Sequence, residues 1–338
     1  MTSPHEHPLD DLAVRAVHAA PSDPGALVDV SCAECAGDLD AMREVVATLG
    51  EAVATSPPFA LRSRTLAAAL ARRPSLERPP VAISPVSVYA EQVEALDALL
   101  AGLDPARWHV STSEGMDVQS LVTHLRVVDA MALEAFEPDG PRSSVDVVAA
   151  TDEALRGVEV GYHAAVTAWQ EWRDQARRII QHVRDGNVHE DDPAPFLDLP
   201  LTVGQVLVDR AFETWVHGRD IAAAVGADTL PVPSDGSLAR MTDLGARLVR
   251  SVLPFDQDVR GTVRLVLRGA GGGTWLVPFD PSGAADAPSA TVTLDPIDFC
   301  LLIGGRLRPE VANQRAVTEG DRSLVRRLLE AAPSLARA

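Results

Sequence analysis

The apolar positions of this chain fall into distinct textures. Residues 36 to 55 carry Leu39, Met42, Val45, Val46, Leu49 and Val53 at helical spacing, and a second short helix is expected over 60–72. Between residues 73 and 85, Pro74, Pro79, Pro80 and Pro85 remove backbone donors and fix φ, so no helix crosses the stretch. It reads as a semi-rigid linker. From Val86 to about Gly226 the pattern is helical throughout, with segments expected at 88–102, 117–137, 145–184 and 202–225 between Gly-, Pro- and Asp-rich breaks. Four such helices predict an antiparallel bundle. The third and longest traces Leu155, Val158, Tyr162, Val166, Trp169 and Trp172 as its apolar stripe.

After Pro231 and Pro233 the texture changes. A helix is expected near 236–253, and Val263, Leu265 and Leu267 then alternate as a half-buried strand does. Gly269 and Gly271 to Gly273 break the chain before a second strand, Trp275 to Phe279, so the two form a hairpin. Thr291 to Leu294 offers a third strand, and helices follow near 296–303 and 321–331. The expected fold is therefore mainly α and multidomain. A small helical module occupies 1–72, the linker 73–85, a four-helix bundle 86–228 and an α+β domain 229–338.

Length supports this division, since 338 residues exceed what one ordinary core holds. At 46% apolar and 23% charged residues the chain is neither disordered nor membrane-like in composition. No apolar run reaches the length of a bilayer span, and Met1 to Asp11 lack the basic and apolar regions of a signal peptide, so a cytoplasmic location is expected. Acidic residues outnumber basic ones by 48 to 30, a formal charge of −18, which repels phosphate backbones and argues against nucleic acid as a partner. Three cysteines, Cys32, Cys35 and Cys300, are too few for a disulfide framework.

The candidate chemistry lies on two helices. The 117–137 segment puts Leu121, His124, Leu125 and Val128 on one face, so His124 belongs to the core-facing stripe. The 202–225 segment does the same with Val206, Glu213, His217 and Ile221, and Glu213 and His217, four residues apart, project from one side. A carboxylate in an apolar stripe needs an ion pair or a shared cation. With His124 the set comprises three N/O ligands, the number a catalytic zinc site uses while keeping a fourth position open. Spacing alone leaves open a plain Glu–His pair beside a satisfied core histidine.

The stretch Phe212-Glu213-Thr214-Trp215-Val216-His217-Gly218-Arg219-Asp220-Ile221, with Val122-Thr123-His124-Leu125 before it, resembles the mycothiol-dependent maleylpyruvate isomerase family. That family belongs to the DinB-like metal-binding four-helix bundles and carries a sterol-carrier-like α+β domain behind; the resemblance covers roughly residues 86–338. It implies zinc, or another divalent metal, held by His124, Glu213 and His217. It also implies a low-molecular-weight thiol such as mycothiol, and an isomerase or thiol S-transferase acting on a small molecule. Asp220 would orient a ligand, its alternative being a helix-surface carboxylate. Leu301-Leu302-Ile303-Gly304-Gly305-Arg306 is similar to a Gly-Arg element of the family's second domain. Arg306 is thus the catalytic candidate, able to grip a substrate carboxylate bidentately, against the plainer role of a structural ion pair. Arg315 is a lesser candidate for the same task. The chain departs from the family at Gly115-Met116-Asp117, where Gly-Trp is common, which implies a different pocket rim and a different substrate.

Cys32-Ala33-Glu34-Cys35, with His18 upstream, resembles the small zinc-binding module of bacterial anti-sigma factors. Val28 stands where that motif has its histidine, so a degenerate anti-sigma-like fold is expected, in which Cys32, Cys35 and His18 offer an incomplete zinc site, the alternatives being a redox-active dithiol or two thiols that merely pack. This carries a rival reading, a cytoplasmic regulator whose N-terminal module binds a sigma factor while the bundle senses a thiol, a metal or a small ligand.

Overall fold

The computed structural model describes residues 83–113, 115–137, 146–156, 161–227, 230–253, 259–279 and 287–337. The expected module over 1–72, with Cys32, Cys35 and His18, lies outside the described residues.

Four helices enclose the larger core. They are α1 (Pro85–Ala101), α2 (Val118–Ala135), α4 (Tyr162–Arg184) and α5 (Val203–Ala224), with the short α3 (Val147–Leu155) laid against α2. Around the bundle α1 packs on α5, α5 on α2, α2 on α4 and α4 on α1, which closes the ring. Each start is set locally. Ser84 accepts from the Ser87 amide, Asp117 from the Ser120 amide, and at α5 Thr202 and Gln205 form a reciprocal capping box. Gly218 brings α5 close to its neighbours, because a Cβ there would lie 2.8 Å from Leu230 and 3.6 Å from Leu96 of α1. Any larger residue pushes the two apart.

The expected third helix over 145–184 is two helices. α3 ends at Leu155 and α4 begins at Tyr162, with 157–160 outside the described residues. The apolar stripe is also rotated from the expected one: Ala165, Ala168, Trp172, Ala176, Ile179 and Val183 face inward, whereas Tyr162 is 45% exposed. Small alanines hidden among arginines carry little hydrophobic signal, and the aromatic residues drew the predicted face toward themselves. Trp169 instead donates its Nε1–H to Asp97 at the helix surface.

Beyond the bundle come α6 (Asp235–Leu248) and a mixed sheet of β1 (Thr262–Leu267), β2 (Gly273–Pro278), β3 (Ala290–Leu294) and β4 (Val317–Gly320), in the order β2-β1-β3-β4. β1 pairs antiparallel with β2, as the glycine-rich hairpin predicts, and parallel with β3; β4 pairs antiparallel with β3. The helices α7 (Pro296–Ile303), α8 (Pro309–Arg315) and α9 (Arg322–Ala331) complete this part, and α8 and β4 were not expected from the sequence. Val263, Leu265 and Leu267 join Phe299 and Leu302 of α7 and Leu324, Leu328 and Leu329 of α9 in a second core. Phe212 and Leu301 touch both cores. Among the described residues no helix is long and apolar enough to cross a membrane.

Candidate metal site and its cavity

His124 sits on α2, two turns past the Asp117 cap, and Glu213 and His217 sit one turn apart on α5. The helix crossing brings one ligand atom from each within 4.8 Å of the others. The His124 and His217 rings meet edge to face with centroids 5.3 Å apart. His217 Nε2 lies 3.1 Å from Glu213 Oε2 and its Nδ1 lies 3.4 Å from Asp220 Oδ2, so both ring nitrogens face carboxylates. His124 Nδ1 lies 3.1 Å from Thr151 Oγ1 on α3, leaving its Nε2 as the remaining nitrogen.

Charge in this cluster follows from those contacts. Burial, with the positive charges of His217 and Arg210 nearby, pulls the His124 pKa down to about 4, so its ring is neutral at neutral pH. Burial acts to raise Glu213, but the hydrogen bond and charge of His217, helped by Arg210, outweigh it and hold this carboxyl at about 2. Burial likewise works against a charged His217, and the hydrogen bonds to Asp220 and Glu213 more than offset it, so its pKa is raised. A neutral imidazole and an ionised carboxylate are the forms in which a divalent cation binds these groups. The second imidazole, oriented by a carboxylate on its far nitrogen, has the outer-shell arrangement common at metal-bound histidines. The residues present fit a metal.

Asp220 is gripped from the other part of the fold. Arg306, just past α7, donates its Nη2–H at 2.7 Å and its Nε–H at 3.2 Å to Asp220 Oδ2, and its Nη1–H at 2.6 Å to the Gly304 carbonyl. Arg306 Nη2 also lies 3.4 Å from His217 Nδ1. The fork that the sequence offered to a substrate carboxylate is thus engaged with Asp220, while the side chain still borders the cavity. Arg315 donates to Asp298 at 2.7 Å, half exposed, and does not line the cavity.

Beneath the site, Asp129 of α2 is fully buried and accepts from Arg210 Nε of α5 at 2.9 Å and from the Tyr89 hydroxyl of α1 at 2.7 Å. This network ties three helices together one turn from His124 and Glu213. Sequence reading missed it, although Asp129 and Arg210 both fall on apolar helix faces. It also missed Asp209, which precedes Glu213 by four residues as Glu213 precedes His217. Asp209 lines the cavity, and burial together with the charge of Glu213 pushes its carboxyl up to about 7.

The three candidate ligands open into a cavity of about 670 Å³. Met116, Phe196, Leu197, Leu199, Phe212 and Leu244 are among its apolar lining, and its charged groups include Asp146, Asp198, Asp209, Arg210, Glu213 and Arg306. Met116, which follows Gly115 ahead of α2, is part of that wall.

Residues 89–222 match the family model described as the mycothiol maleylpyruvate isomerase N-terminal domain. Uncharacterized proteins from two strains of Mycobacterium tuberculosis are each 27% identical over 238 residues, spanning 66% of this chain and 86% of their own length. Crystal structures of the mycothiol-dependent maleylpyruvate isomerase and of a histidine-to-alanine mutant of it are 13% identical, with TM-scores of 0.43 and 0.45, over 66% of this chain and 88% of theirs. The matched segment contains α1 to α5 almost whole, and with them His124, Glu213, His217 and Asp220. Over residues 89–222 this chain is thus similar to the family described as the mycothiol maleylpyruvate isomerase N-terminal domain.

Proposed function

We propose that this chain is a metal-dependent enzyme that uses a low-molecular-weight thiol, mycothiol or a close analogue, to isomerise or conjugate a small electrophilic substrate. The observation that carries the reading is the convergence of His124, Glu213 and His217 within 4.8 Å at the wall of a cavity large enough for both thiol and substrate. His124, Glu213 and His217 would hold a divalent metal, with zinc the ion that best matches two imidazoles and a carboxylate. Bound there, the cation lowers the pKa of a coordinated thiol so that it reacts as thiolate at neutral pH.

The protein's own groups do the rest. Asp220 and Thr151 fix the two imidazole rings by their Nδ1 atoms. Arg306 neutralises Asp220 and presents positive charge to the cavity. Asp209, whose carboxyl carries a proton up to about pH 7 in the metal-free chain, stands one turn from Glu213 and is placed to deliver or accept a proton at carbon. For an isomerisation, the thiol adds across a conjugated double bond, the resulting single bond rotates, and elimination returns both alkene and thiol. For a conjugation, the adduct is the product.

Elemental analysis of the purified chain tests the foundation. One divalent metal per chain is expected, falling several-fold in His124→Ala and in His217→Ala while far-UV circular dichroism stays that of a folded bundle. Metal content unchanged in both variants would remove the proposed ligands and the reading with them. Mycothiol-dependent turnover of an activated alkene, lost together with the metal, would carry it forward.

A further inference from the structure

The wall of the cavity contains a backbone feature that the thiol chemistry does not require. Residues 193–202 fold as a small hairpin: Phe196 and Leu199 exchange both backbone hydrogen bonds, at 3.0 and 2.9 Å, around a two-residue loop of Leu197 and Asp198. Both loop residues have positive φ, 47° and 62°, and they are the only non-glycine residues with positive φ among those described. Such a loop ordinarily takes Asn-Gly or Asp-Gly, because a leucine Cβ is crowded in the left-handed region. A bulky residue occupies this position against its own backbone preference, and strain of this kind concentrates at functional sites.

The neighbours of Leu197 indicate its role. Phe196, Leu197 and Leu199 all line the metal cavity, and Leu244 and Leu248 of α6 line it as well. Leu197 packs against the bundle core yet stays only partly buried, and it also lines the cavity. Val148, 69% exposed, also lines the cavity, which leaves an apolar residue facing solvent beside the metal site. At about 670 Å³ the space lies within the range of ~300–1,000 Å³ that holds drug-sized ligands.

We propose that the substrate carries an apolar alkyl or aryl chain, seated against the strained 196–199 turn and α6, with Leu197 as a specificity-determining residue. Its reactive end lies at the His124, Glu213 and His217 cluster, and in that respect the proposal rests on the function proposed above. A small, fully charged diacid would leave this wall unused.

Binding of N-ethyl-, N-butyl- and N-hexylsuccinimide to the full chain, measured by titration calorimetry, tests the pocket without any thiol reaction. Affinity is expected to rise about fourfold per added methylene. Leu197→Asn suits the turn better than leucine does, so Tm is expected to hold or rise while most of the chain-length dependence disappears. Leu248→Gln, introduced on α6 without touching the turn, should reduce the same dependence. An affinity independent of chain length overturns the proposal. Wild-type chain-length dependence in Leu197→Asn, especially with a lowered Tm, assigns Leu197 to packing and overturns it as well. The matching N-alkylmaleimides with mycothiol separate the two readings. Graded succinimide binding without catalysed thiol addition upholds the apolar pocket and defeats the thiol chemistry, whereas catalysed addition insensitive to chain length does the reverse.

Discussion

Asp209 shows how a single residue changes meaning between sequence and structure. In the sequence it is one of 48 acidic residues; in the fold it shares a face of α5 with Glu213 and His217, and its carboxyl is pushed up to about 7. The pH consequence has a definite sign. The folded chain keeps this proton from about pH 4 to 7 while the unfolded chain releases it, so the native state binds more protons across that window and stability falls as pH rises through it. Asp209→Asn removes the charge that has to be buried. In metal-free protein kept in chelator, the variant should match wild type near pH 4 and exceed it at pH 8 by on the order of 1 kcal/mol, after discounting for partial exposure. Thermal melts across that range check it, and parallel pH profiles for the two proteins would show that Asp209 is not buried as a charge. Turnover should fall in the same variant if Asp209 moves the proton at carbon.

At the scale of elements, the positions that matter are held by a buried polar network rather than by apolar packing alone. Asp129, Arg210 and Tyr89 join α2, α5 and α1, and the Arg210 Nη2 has no partner among the described residues. Burying such a pair contributes little net stability, but breaking it leaves a charge without compensation. Asp129→Ala should therefore cost about 3–5 kcal/mol, and Tyr89→Phe only about 1 kcal/mol. Denaturant unfolding measures both, and a loss under 1 kcal/mol for Asp129→Ala would mean that Arg210 finds water or another acceptor. The elements themselves were largely legible in the sequence. Helical periodicity and the Gly-, Pro- and Asp-rich breaks marked α2 and α5 to within a residue or two, and the same periodicity put His124, Glu213 and His217 on inward faces. Legibility failed where the signal was weak or non-local. α4 buries alanines between exposed arginines, α8 and β4 are only seven and four residues long, and the left-handed Leu197 carries no turn residue to announce it. The partnership of Asp129 with Arg210, 81 residues apart, is set by a helix crossing that no local pattern encodes.

Over the molecule as a whole, the candidate metal site is a bundle site completed from the C-terminal part. All three candidate ligands belong to α2 and α5, yet Asp220, which holds the His217 ring, is in turn held by Arg306 beyond α7. Arg306 thereby ties the sheet-containing part to the candidate metal site and adds to the wall of the cavity. The sequence offered this arginine either a carboxylate clamp or a structural ion pair; its contacts with Asp220, which faces His217, add a third role, that of a positioning residue for the candidate ligand His217. The two roles separate experimentally. Loss of an outer-shell partner typically lowers metal affinity 10- to 100-fold, so Arg306→Ala in the full chain should weaken metal binding by about that factor and also lower Tm of the metal-free protein, because buried Asp220 keeps only His217 as a partner. Arg306→Lys restores the charge without the paired Nε and Nη2 donors, and should recover only part of the loss. Competition with a chromophoric chelator gives the affinities directly. Wild-type metal affinity in Arg306→Ala, together with a raised KM for substrate, would instead return the residue to the carboxylate-binding role and leave Asp220 able to orient His217 alone.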